Sequence, residues 1–409
     1  MNILIISQRV PFPPNKGEKI RTFHQLQYLA KQGHNITLAA PFEESIEIAN
    51  FKALEDEYCE GVINHKLPHK IFRLPLALLT GKALSVANFY SIALQKKIDQ
   101  FLNQNKIDVI LCTASSMAEY VFKSKALLNL ENPPKLVMDF MDLDSDKWRQ
   151  YSQRSKGLMK AVYLREANLI STFELKIAKA FFACFFITDA EKDLFLKQHP
   201  QLQNIHSVEN GIDNSIFKPS LVHHDHTNPI ILFTGVMDYP PNIDAVLWFS
   251  LHVWPTIIEK WPKAKFIIAG MNPTEKIKDL ANLKGIEVTG FVEDIIHYFD
   301  QANLFVAPFR IARGVQNKVL QAFACGLPVI ASPMGAEGIR CLNGESILLA
   351  ETPNEFIKQI EDLLNSDSHY RFIRENAITV IQQHYSWDSI LLPFEQILAV
   401  SNALKTQAN

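Results

Sequence analysis

Residues 308–332 read PFRIARGVQNKVLQAFACGLPVIAS, a pattern that predicts the end of a strand, a loop, a helix and a second strand. Gly314 is expected to open the helix, Gly326 to close it, and Pro328 to start the following strand. Short apolar strands that alternate with helices are typical of βαβ units, in which the strands lie parallel in one sheet. The stretch therefore predicts an α/β fold with a parallel sheet.

The same alternation of strands and helices extends through both halves of the chain. Helices are predicted at 18–32 and 145–180, and near 354–364 and 387–404 in the tail. Buried strands are predicted at 2–7, 35–40, 108–113, 135–140 and 181–188, and again at 230–236, 265–270, 285–290, 304–308 and 328–332. We therefore expect two doubly wound, Rossmann-like domains.

A polar segment, SLVHHDHTNP at 220–229, lies between the two apolar regions. Its residues His223, His224 and His226 could suggest a metal site, but we expect them to belong to a linker. The predicted organisation is a first domain at 1–220, a linker at 221–229, a second domain at 230–380 and a helical tail at 381–409. Because ligands of open α/β sheets bind at the carboxyl ends of the strands, we expect the two domains to face each other across a ligand cleft.

Charge and cysteine content argue against several classes of protein. The 409 residues include 41 Lys and Arg against 43 Asp and Glu, a balance that argues against a nucleic-acid partner. Five scattered cysteines without a C-x-x-C pair argue against a disulfide framework or a structural zinc site, and favour a reducing compartment. No apolar run reaches roughly 18–20 residues and no charged leader is present, so we expect a cytoplasmic protein.

Basic residues cluster around the predicted helix of the opening stretch. Arg310 and Arg313 precede this helix, and Lys318 lies in its first turns, where free backbone N–H groups favour a phosphate. Asn317, Lys318 and Gln321 share one helix face, which offers a cation for a diphosphate and a carboxamide for a sugar hydroxyl. The alternative interpretation is a solvated basic loop before a surface helix.

The segments VENGIDNSIFKP at 208–219 and ACGLPVIAS at 324–332 resemble motifs of family 4 glycosyltransferases, which have the GT-B fold. Four further segments resemble a subgroup of sugar transferases associated with exopolysaccharide and PEP-CTERM (exosortase) systems: PFPPNKGEKIRTFH at 11–24, MDFMDLDSDKWRQY at 138–151, FTGVMDYPPNIDAVLWF at 233–249 and RIARGVQNKVLQAFA at 310–324. The resemblance implies transfer of a sugar from a nucleotide-diphosphate sugar to a glycan or lipid-linked acceptor, in exopolysaccharide or cell-surface polysaccharide synthesis. It also implies retention of the anomeric configuration, without a metal or other cofactor.

The resemblance also implies roles for residues of the second domain. Gly235 would let the donor phosphate approach the backbone, and Arg313 and Lys318 would act in catalysis by stabilising the leaving diphosphate. Gln321 stands where relatives carry a glutamate that binds the ribose, and the lost charge predicts weaker donor binding. YPPN at 239–242 occupies the place where many relatives carry Arg and Lys. The complete predicted donor-binding set is Gly235, Phe291, Val292, Arg310, Arg313, Gly314, Asn317, Lys318 and Gln321, with Phe291 and Val292 at the nucleobase.

Residues of the first domain are expected to serve the acceptor. By resemblance, Lys16, Gly17 and Arg21 belong to a loop and helix start that face the cleft, although a solvated turn is an alternative. Asp142, and next Asp139, are the catalytic candidates for orienting the acceptor or assisting as a general base.

Two D-x-D patterns occur within residues 142–146. In another glycosyltransferase fold such a pattern holds a divalent metal, but aspartate is also common at helix starts. We expect Asp144 and Asp146 to be helix-cap and first-turn residues, and we expect no metal site.

The segment 61–98 contains six Lys and Arg residues and no Asp or Glu. It could rest on anionic lipid at the inner face of the plasma membrane, or it could contain a buried helix with scattered lysines. Two alternatives to a transferase also stay open. One is a nucleotide-sugar epimerase of the same two-domain shape, and the other is a non-catalytic nucleotide-sugar-binding subunit, which Gln321 motivates.

Overall fold

The structure is a computed structural model that describes residues 1–15, 17–68, 81–220, 226–311 and 315–400. The chain divides into two units, each built around its own parallel sheet. Unit 1 comprises Met1–Asn210 and the chain from Ile390 onwards, and unit 2 comprises Gly211–Ser389.

Unit 1 alternates strands and helices along most of its length. Its strands are β1 (Asn2–Ser7), β2 (Asn35–Phe42), β3 (Gly61–Lys66), β4 (Val109–Thr113), β5 (Lys135–Met141), β6 (Ala183–Phe186) and β7 (Ile205–Ser207). Its helices are α1 (Gly17–Lys31), α2 (Glu47–Glu57), α3 (Leu84–Phe89), α4 (Ile92–Gln104), a 3₁₀ turn (Ser115–Met117), α5 (Ala118–Phe122), α6 (Lys125–Leu128), α7 (Asp144–Arg154), α8 (Gly157–Ala180) and α9 (Asp189–Gln198).

Over the described residues, the sheet of unit 1 has seven parallel strands in the order β3-β2-β1-β4-β5-β6-β7. The strand order reverses between β1 and β4, where Ile3 pairs with Val109 and Ser7 with Thr113. Ile3, Leu4 and Ile5 are fully buried, as expected for a central strand covered by helices on both faces.

Unit 2 repeats this architecture with its own set of elements. Its strands are β8 (Ile230–Thr234), β9 (Lys265–Ala269), β10 (Ile286–Gly290), β11 (Leu304–Ala307), β12 (Val329–Ala331) and β13 (Leu348–Leu349). Its helices are α10 (Pro240–His252), α11 (Trp254–Lys260), α12 (Glu275–Lys278), a 3₁₀ turn (Asp279–Asn282), α13 (Ile296–Gln301), α14 (Asn317–Ala324), α15 (Pro353–Leu364), α16 (Asp367–Val380) and a π turn (Ile381–Tyr385). The last helix, α17 (Trp387–Ala399), contains the boundary residue Ile390.

The described strands of unit 2 lie parallel in the order β10-β9-β8-β11-β12-β13. This is the doubly wound order, and its reversal between β8 and β11 is the position at which such sheets bind ligands. Three stacked or tilted rings, Phe233, Phe305 and Phe309, fill the core beneath that reversal. The two sheets confirm the predicted α/β fold with two Rossmann-like domains.

All ten predicted strands are present, but three strands escaped prediction, namely β3, β7 and β13. β3 (GVINHK) lies at the sheet edge and its residues are half-buried or exposed, so it lacks the apolar run of a central strand. β7 and β13 have only three and two residues. Short edge strands carry too few residues for a periodic signal.

The predicted helix at 145–180 is two helices, α7 and α8. Ser155 and Lys156 are extended between them, and Gly157 has a positive φ of +59°. The helix of the opening stretch begins at Asn317 rather than at Gly314, which lies outside the described residues. Its end agrees with the prediction, because Gly326 follows the helix with a φ of +70°.

The boundary between the units lies at Gly211, earlier than the predicted linker at 221–229. The segment 211–220 packs onto unit 2, because the Ile212 amide donates to the Tyr385 carbonyl at 2.6 Å and Arg374 donates to the Ser220 carbonyl at 2.6 Å. A Cβ on Gly211 would lie 2.8 Å from Trp387, so only glycine fits there. The motif at 208–219 is therefore largely part of unit 2.

The predicted linker and tail also differ from the structure. His223 and His224 lie outside the described residues, and the His226 ring is 3.6 Å from the Asp367 carboxylate. The tail divides at Ile390, because its later residues pack on unit 1. In that part, the Phe394 ring centroid lies 4.8 Å from that of Phe185.

Candidate functional site

A cavity of about 860 Å³ opens at the carboxyl ends of β8, β9 and β10 in unit 2. Its volume falls in the range of roughly 300–1,000 Å³ that is usual for small-molecule sites. The cavity is lined by Thr234, Gly235, Val236, Asp238, Tyr239, Asn242, Gly270, Met271, Phe291, Val292, Ile295, Asn317, Lys318 and Gln321. Six of the nine predicted donor residues are among them: Gly235, Phe291, Val292, Asn317, Lys318 and Gln321.

Two glycines allow the strand ends to meet closely at this cavity. A Cβ on Gly270 would lie 1.7 Å from the Gly235 carbonyl oxygen, which no side chain could tolerate. A Cβ on Gly235 would lie 2.7 Å from the Asn242 amide nitrogen and 3.1 Å from Lys318 Nζ. The backbone of Gly235 is therefore bare beside the lysine, as the close approach of a ligand requires.

Lys318, in the first turn of α14, is the only cation among the described residues that line the cavity. Its Nζ lies 5.2 Å from the Phe233 ring centroid and 4.8 Å from that of Phe309, on the apolar core. Burial lowers the pKa of Lys318 from 10.5 to about 8. No carboxylate in the described part of the chain forms an ion pair with it, so a partly buried positive charge, hydrogen-bonded to the neutral Asn242, faces the cavity.

Asn242 holds this lysine in place. Its side-chain oxygen accepts a hydrogen bond of 2.6 Å from Lys318 Nζ, and its side-chain nitrogen donates to the Val236 carbonyl at 2.8 Å. Asn242 is itself buried in the first turn of α10. The sequence motif YPPN includes Asn242 but predicted no role for it. Its contact with Lys318 joins residues that are 76 positions apart in the sequence.

Helix α14 also directs its start towards the cavity. Its N-cap residue, Gln316, makes no side-chain capping hydrogen bond, which leaves the first backbone N–H groups to other acceptors. Asn317 is exposed and Gln321 is partly buried one turn later, and both line the cavity. The helix therefore brings a cation and two carboxamides to one surface.

Large apolar side chains surround the cavity without being buried. Phe291 is 69% exposed and Tyr239 is 58% exposed, and Val236 and Met271 are also exposed. Exposed aromatic rings beside a concave polar site are suited to stacking on a planar group.

Not every predicted donor residue lies at the cavity. The Arg310 guanidinium makes two hydrogen bonds to the Asp244 carboxylate, at 2.5 and 3.0 Å, and Arg310 is absent from the cavity lining. This bidentate pair raises the pKa of Arg310 and occupies its hydrogen-bonding face. Arg313 and Gly314 lie outside the described residues.

In unit 1, the structure corrects the predicted roles of Asp139 and Arg21. The two side chains are fully buried and form an ion pair of 2.7 Å at the carboxyl end of β5. Gln25 also donates to Asp139, and Arg21 donates to the Glu209 carbonyl and the Asn210 side chain at 3.1 Å. Because both side chains are fully buried, the pair joins α1 and β5 to residues 209–210 and is not open to an acceptor.

Asp142 is the carboxylate that remains exposed at this strand end. Its side chain is 57% exposed and lies 3.7 Å from Lys147. Gly17 is the exposed first residue of α1, and Lys16 lies outside the described residues. Met141 and Ala114, at the ends of β5 and β4, have φ values of +64° and +73°, the kind of backbone strain that collects at functional sites.

Asp144 lies in the first turn of α7 and is not the cap residue that the sequence predicted. Leu143 is the N-cap, and the Ser145 amide instead donates to Glu174 of α8 at 3.1 Å. Burial raises the pKa of Asp144 to about 6 and that of Glu174 to about 8. Asp146 also lies in the first turn, where it accepts a hydrogen bond from Gln150.

The segment 61–98 is only partly described, because 69–80 lie outside the described residues. Three of its lysines have partners: Lys82 donates to Glu119, Lys97 to the Asn64 carbonyl and Lys66 to Ser45. These contacts give three of the six basic residues partners within the protein, and the membrane contact of this segment stays a prediction. Among the described helices, none combines the length and apolar character that a membrane-spanning segment requires.

Across the described ranges, no three His, Cys, Asp or Glu side chains come together in an arrangement that could hold a metal ion. The aspartates at 142–146 fit this finding, because Asp142 faces Lys147, Asp144 accepts from Ser115 and Asp146 accepts from Gln150.

Residues 228–366, which form most of unit 2 and its cavity, match the family model described as glycosyl transferases group 1. The chain is 23% identical over 400 residues to an uncharacterized 44.6 kDa protein in the cps region of Klebsiella pneumoniae, covering 94% of this chain and 96% of that protein. It is 27% identical over 378 residues to an uncharacterized glycosyltransferase of Methanocaldococcus jannaschii, covering 87% of this chain and 90% of that protein.

The solved structures show the same fold. The HepE protein of Anabaena, in complex with UDP and glucose, superposes with a TM-score of 0.57 over 98% of this chain and all of that one, at 14% identity. The fold of two parallel-sheet units is thus that of GT-B proteins. With a group 1 domain around the cavity, the chain is a glycosyltransferase with the GT-B fold.

Proposed function

We propose that the chain transfers a sugar from a nucleotide-diphosphate sugar to a glycan or lipid-linked acceptor, and that the cavity of unit 2 holds the donor. The observation that carries this proposal is Lys318, a partly buried and desolvated lysine without an ion-pair partner in the described residues, beside the bare backbone of Gly235. A buried cation is unfavourable unless an anion joins it. A diphosphate would supply that anion, and the start of α14 would add backbone N–H donors.

The same arrangement would favour the chemical step. When the bond between sugar and diphosphate breaks, negative charge grows on the diphosphate, and a fixed cation stabilises this charge more than it stabilises the intact donor. Asn242 would keep Lys318 aimed at the diphosphate. Arg313 remains a proposed second cation by its place in the sequence, whereas Arg310 is held by Asp244.

The rest of the donor would fill the remaining cavity. We infer that the base lies against Phe291 and Val292, and that Asn317 and Gln321 bind hydroxyl groups. Gln321 accepts fewer strong hydrogen bonds than the glutamate of relatives. The exposed carboxylate of Asp238, which also lines the cavity, would supply a charged acceptor for these hydroxyls.

The comparisons suggest where to begin with ligands and acceptors. HepE was solved with UDP and glucose, so UDP and UDP-sugars are the first donors to test. The Klebsiella relative lies in a cps region, which supports a role in cell-surface polysaccharide synthesis. The proposal of an exosortase-associated subgroup rests on the resemblance of the sequence segments alone. Retention of the anomeric configuration, independence of metal and a cytoplasmic site of action belong to the same proposal, with Asp142 as the acceptor-side carboxylate.

Thermal stabilisation by UDP, GDP, ADP, dTDP and their sugars tests the donor proposal. A ligand at about 100 times its dissociation constant should add roughly 2.7 kcal/mol of stability. We expect one nucleotide to stabilise the wild type and the control Lys263→Ala, but not Lys318→Ala. The exposed side chain of Lys263 precedes the amino end of β9, whereas the cavity lies at the carboxyl end of that strand. Equal stabilisation of Lys318→Ala would contradict the assigned role of the lysine.

A second candidate, a non-catalytic binding subunit, is motivated by Gln321 in the cavity. The substitution Gln321→Glu separates the two candidates. A weakened enzyme should gain turnover, because the restored carboxylate binds the donor hydroxyls more strongly. Donor binding without turnover in either form, with any acceptor mixture from the cell, would favour the binding subunit.

A further inference from the structure

Helices α7 and α8 form a hairpin whose far end carries exposed apolar side chains. Leu158 is 81% exposed, and Met159 and Leu164 are 48% and 45% exposed. None of the first nine residues of α8 is buried, whereas the second half of the helix packs into unit 1 through residues such as Ile170 and Ile177. We call residues 156–164, all exposed except the half-buried Val162 and Tyr163, the hairpin tip.

The charge of this hairpin differs sharply from that of the whole chain. The net charge of the chain is −2, yet residues 147–165 contain six basic residues and no Asp or Glu. These residues are Lys147, Arg149, Arg154, Lys156, Lys160 and Arg165. Lys156 and Lys160 at the tip are exposed and form no ion pair within the described ranges.

Aromatic residues hold the two helices together behind the tip. Trp148 and Tyr151 of α7 contact Tyr163 of α8, with ring centroids 5.6 and 5.9 Å apart. Tyr151 remains 41% exposed. Trp and Tyr favour the zone between headgroups and hydrocarbon, so the hairpin combines the three features of an interfacial helix: apolar, basic and aromatic side chains.

We propose that the hairpin tip docks on a bilayer that contains anionic lipid. Leu158, Met159 and Leu164 would enter the region below the headgroups, and Lys156 and Lys160 would contact lipid phosphates. A second copy of the chain fits this surface poorly, because it would set one basic hairpin against another. A nucleic acid would leave the apolar residues unexplained.

The hairpin also lies close in sequence to the exposed carboxylate of Asp142. It begins at Asp144, two residues after the exposed carboxylate of Asp142, and α7 is only 11 residues or about 16 Å long. If the proposed function holds, a docked hairpin would bring lipid-linked acceptors near Asp142. The docking itself depends only on the surface.

Sedimentation of the full chain with vesicles tests the docking. One set of vesicles contains phosphatidylcholine alone, and in the other about a third of the lipid is phosphatidylglycerol, which attracts basic residues. We expect binding to the anionic vesicles that weakens with salt. The double variant Lys156→Gln/Lys160→Gln should bind roughly 30-fold more weakly, at about fivefold for each lysine.

Apolar insertion is tested by Leu158→Gln/Met159→Gln, which should weaken vesicle binding at least about tenfold. The matched control is Lys125→Gln/Leu128→Gln, whose exposed residues lie elsewhere on unit 1 and should leave binding unchanged. Because all these positions are exposed, stabilisation by the donor nucleotide should be the same in every variant. That measurement separates failure of the docking from failure of the proposed function.

Four outcomes would overturn the docking. The first is no binding of the wild type to anionic vesicles, and the second is binding that neither hairpin variant reduces. The third is self-association of the wild type in solution that Leu158→Gln/Met159→Gln abolishes, which would assign the tip to a second copy. Binding to single-stranded DNA that depends on the lysines but not on Leu158 or Met159 would likewise replace the bilayer with a nucleic acid.

Discussion

Replacement of Lys318 by methionine should stabilise the chain while weakening its affinity for a nucleotide diphosphate. The fall in the pKa of Lys318 from 10.5 to about 8 corresponds to about 3 kcal/mol acting against its charged form in the folded chain. Methionine leaves the Asn242 oxygen without a donor, so the net gain expected at pH 7 is about 1–2 kcal/mol. Stability is measured by urea unfolding.

The sign of the pH dependence follows from the same pKa. The unfolded chain keeps the proton on Lys318 up to about pH 10.5, whereas the folded chain releases it near pH 8. The unfolded state therefore binds more protons between these values, and the free energy of unfolding rises with pH there. Lys318→Met lacks this rise, so its advantage over the wild type should shrink above pH 8.

Burial favours the neutral form of Lys318, whereas a bound diphosphate favours the protonated ammonium form. In the wild type, the dissociation constant should increase about tenfold per pH unit above pH 8, and in Lys318→Met it should stay flat. At pH 7 the variant should bind about 10–100-fold more weakly, the loss of a charge-assisted hydrogen bond. Calorimetric titration with the most stabilising nucleotide gives these constants, with Lys263→Met as the control. An affinity within about twofold of the wild type would show that Lys318 does not bind the diphosphate.

Three further substitutions test other parts of the account. Gly235→Ala places a methyl group 2.7 Å from Asn242, and should cost about 1–3 kcal/mol of stability in urea unfolding as well as donor affinity; Gly61→Ala, in open space, is its control. Asn242→Asp gives Lys318 a counter-charge, so its pKa should rise and calorimetry should show weaker nucleotide binding; unchanged affinity would exclude the positioning role. Asp139→Asn leaves a buried arginine without its partner and should cost about 3–5 kcal/mol, whereas Asp142→Asn should change stability by less than about 0.5 kcal/mol. Equal stability losses would show that the two carboxylates were distinguished wrongly.

The strands of the fold could be predicted because central parallel strands are buried on both faces. β1, with Ile3, Leu4 and Ile5 fully buried, has a continuous apolar run of the length of a buried strand, which is short for a buried helix. β3 could not be predicted, since an edge strand keeps polar residues on its open side. The break between α7 and α8 depends on the extended backbone of Ser155 and Lys156, residues compatible with a continuous helix.

The cavity of unit 2 was partly predictable because its residues come from short motifs. Lys318 and Gln321 lie one turn apart on α14, and helix periodicity places them together. Asn242 was not predictable, because its contact with Lys318 joins two helices that are far apart in sequence. The same limit explains the error at Asp139, whose partner Arg21 lies 118 residues away. The alternation of inward and outward side chains along β5 does not by itself show that Asp139 is buried and Asp142 exposed. The contact with Arg21 decides this.

Photolabelling with an azido analogue of the most stabilising nucleotide sugar tests most directly that the cavity of unit 2 is the donor site. Labelled peptides are identified by mass spectrometry, with and without excess unmodified nucleotide. We predict labelling on peptides that contain Val236–Tyr239 or Phe291 and Val292, suppressed by the competitor and lost in Lys318→Met. Labelling confined to unit 1, or labelling that the competitor does not suppress, would contradict the account.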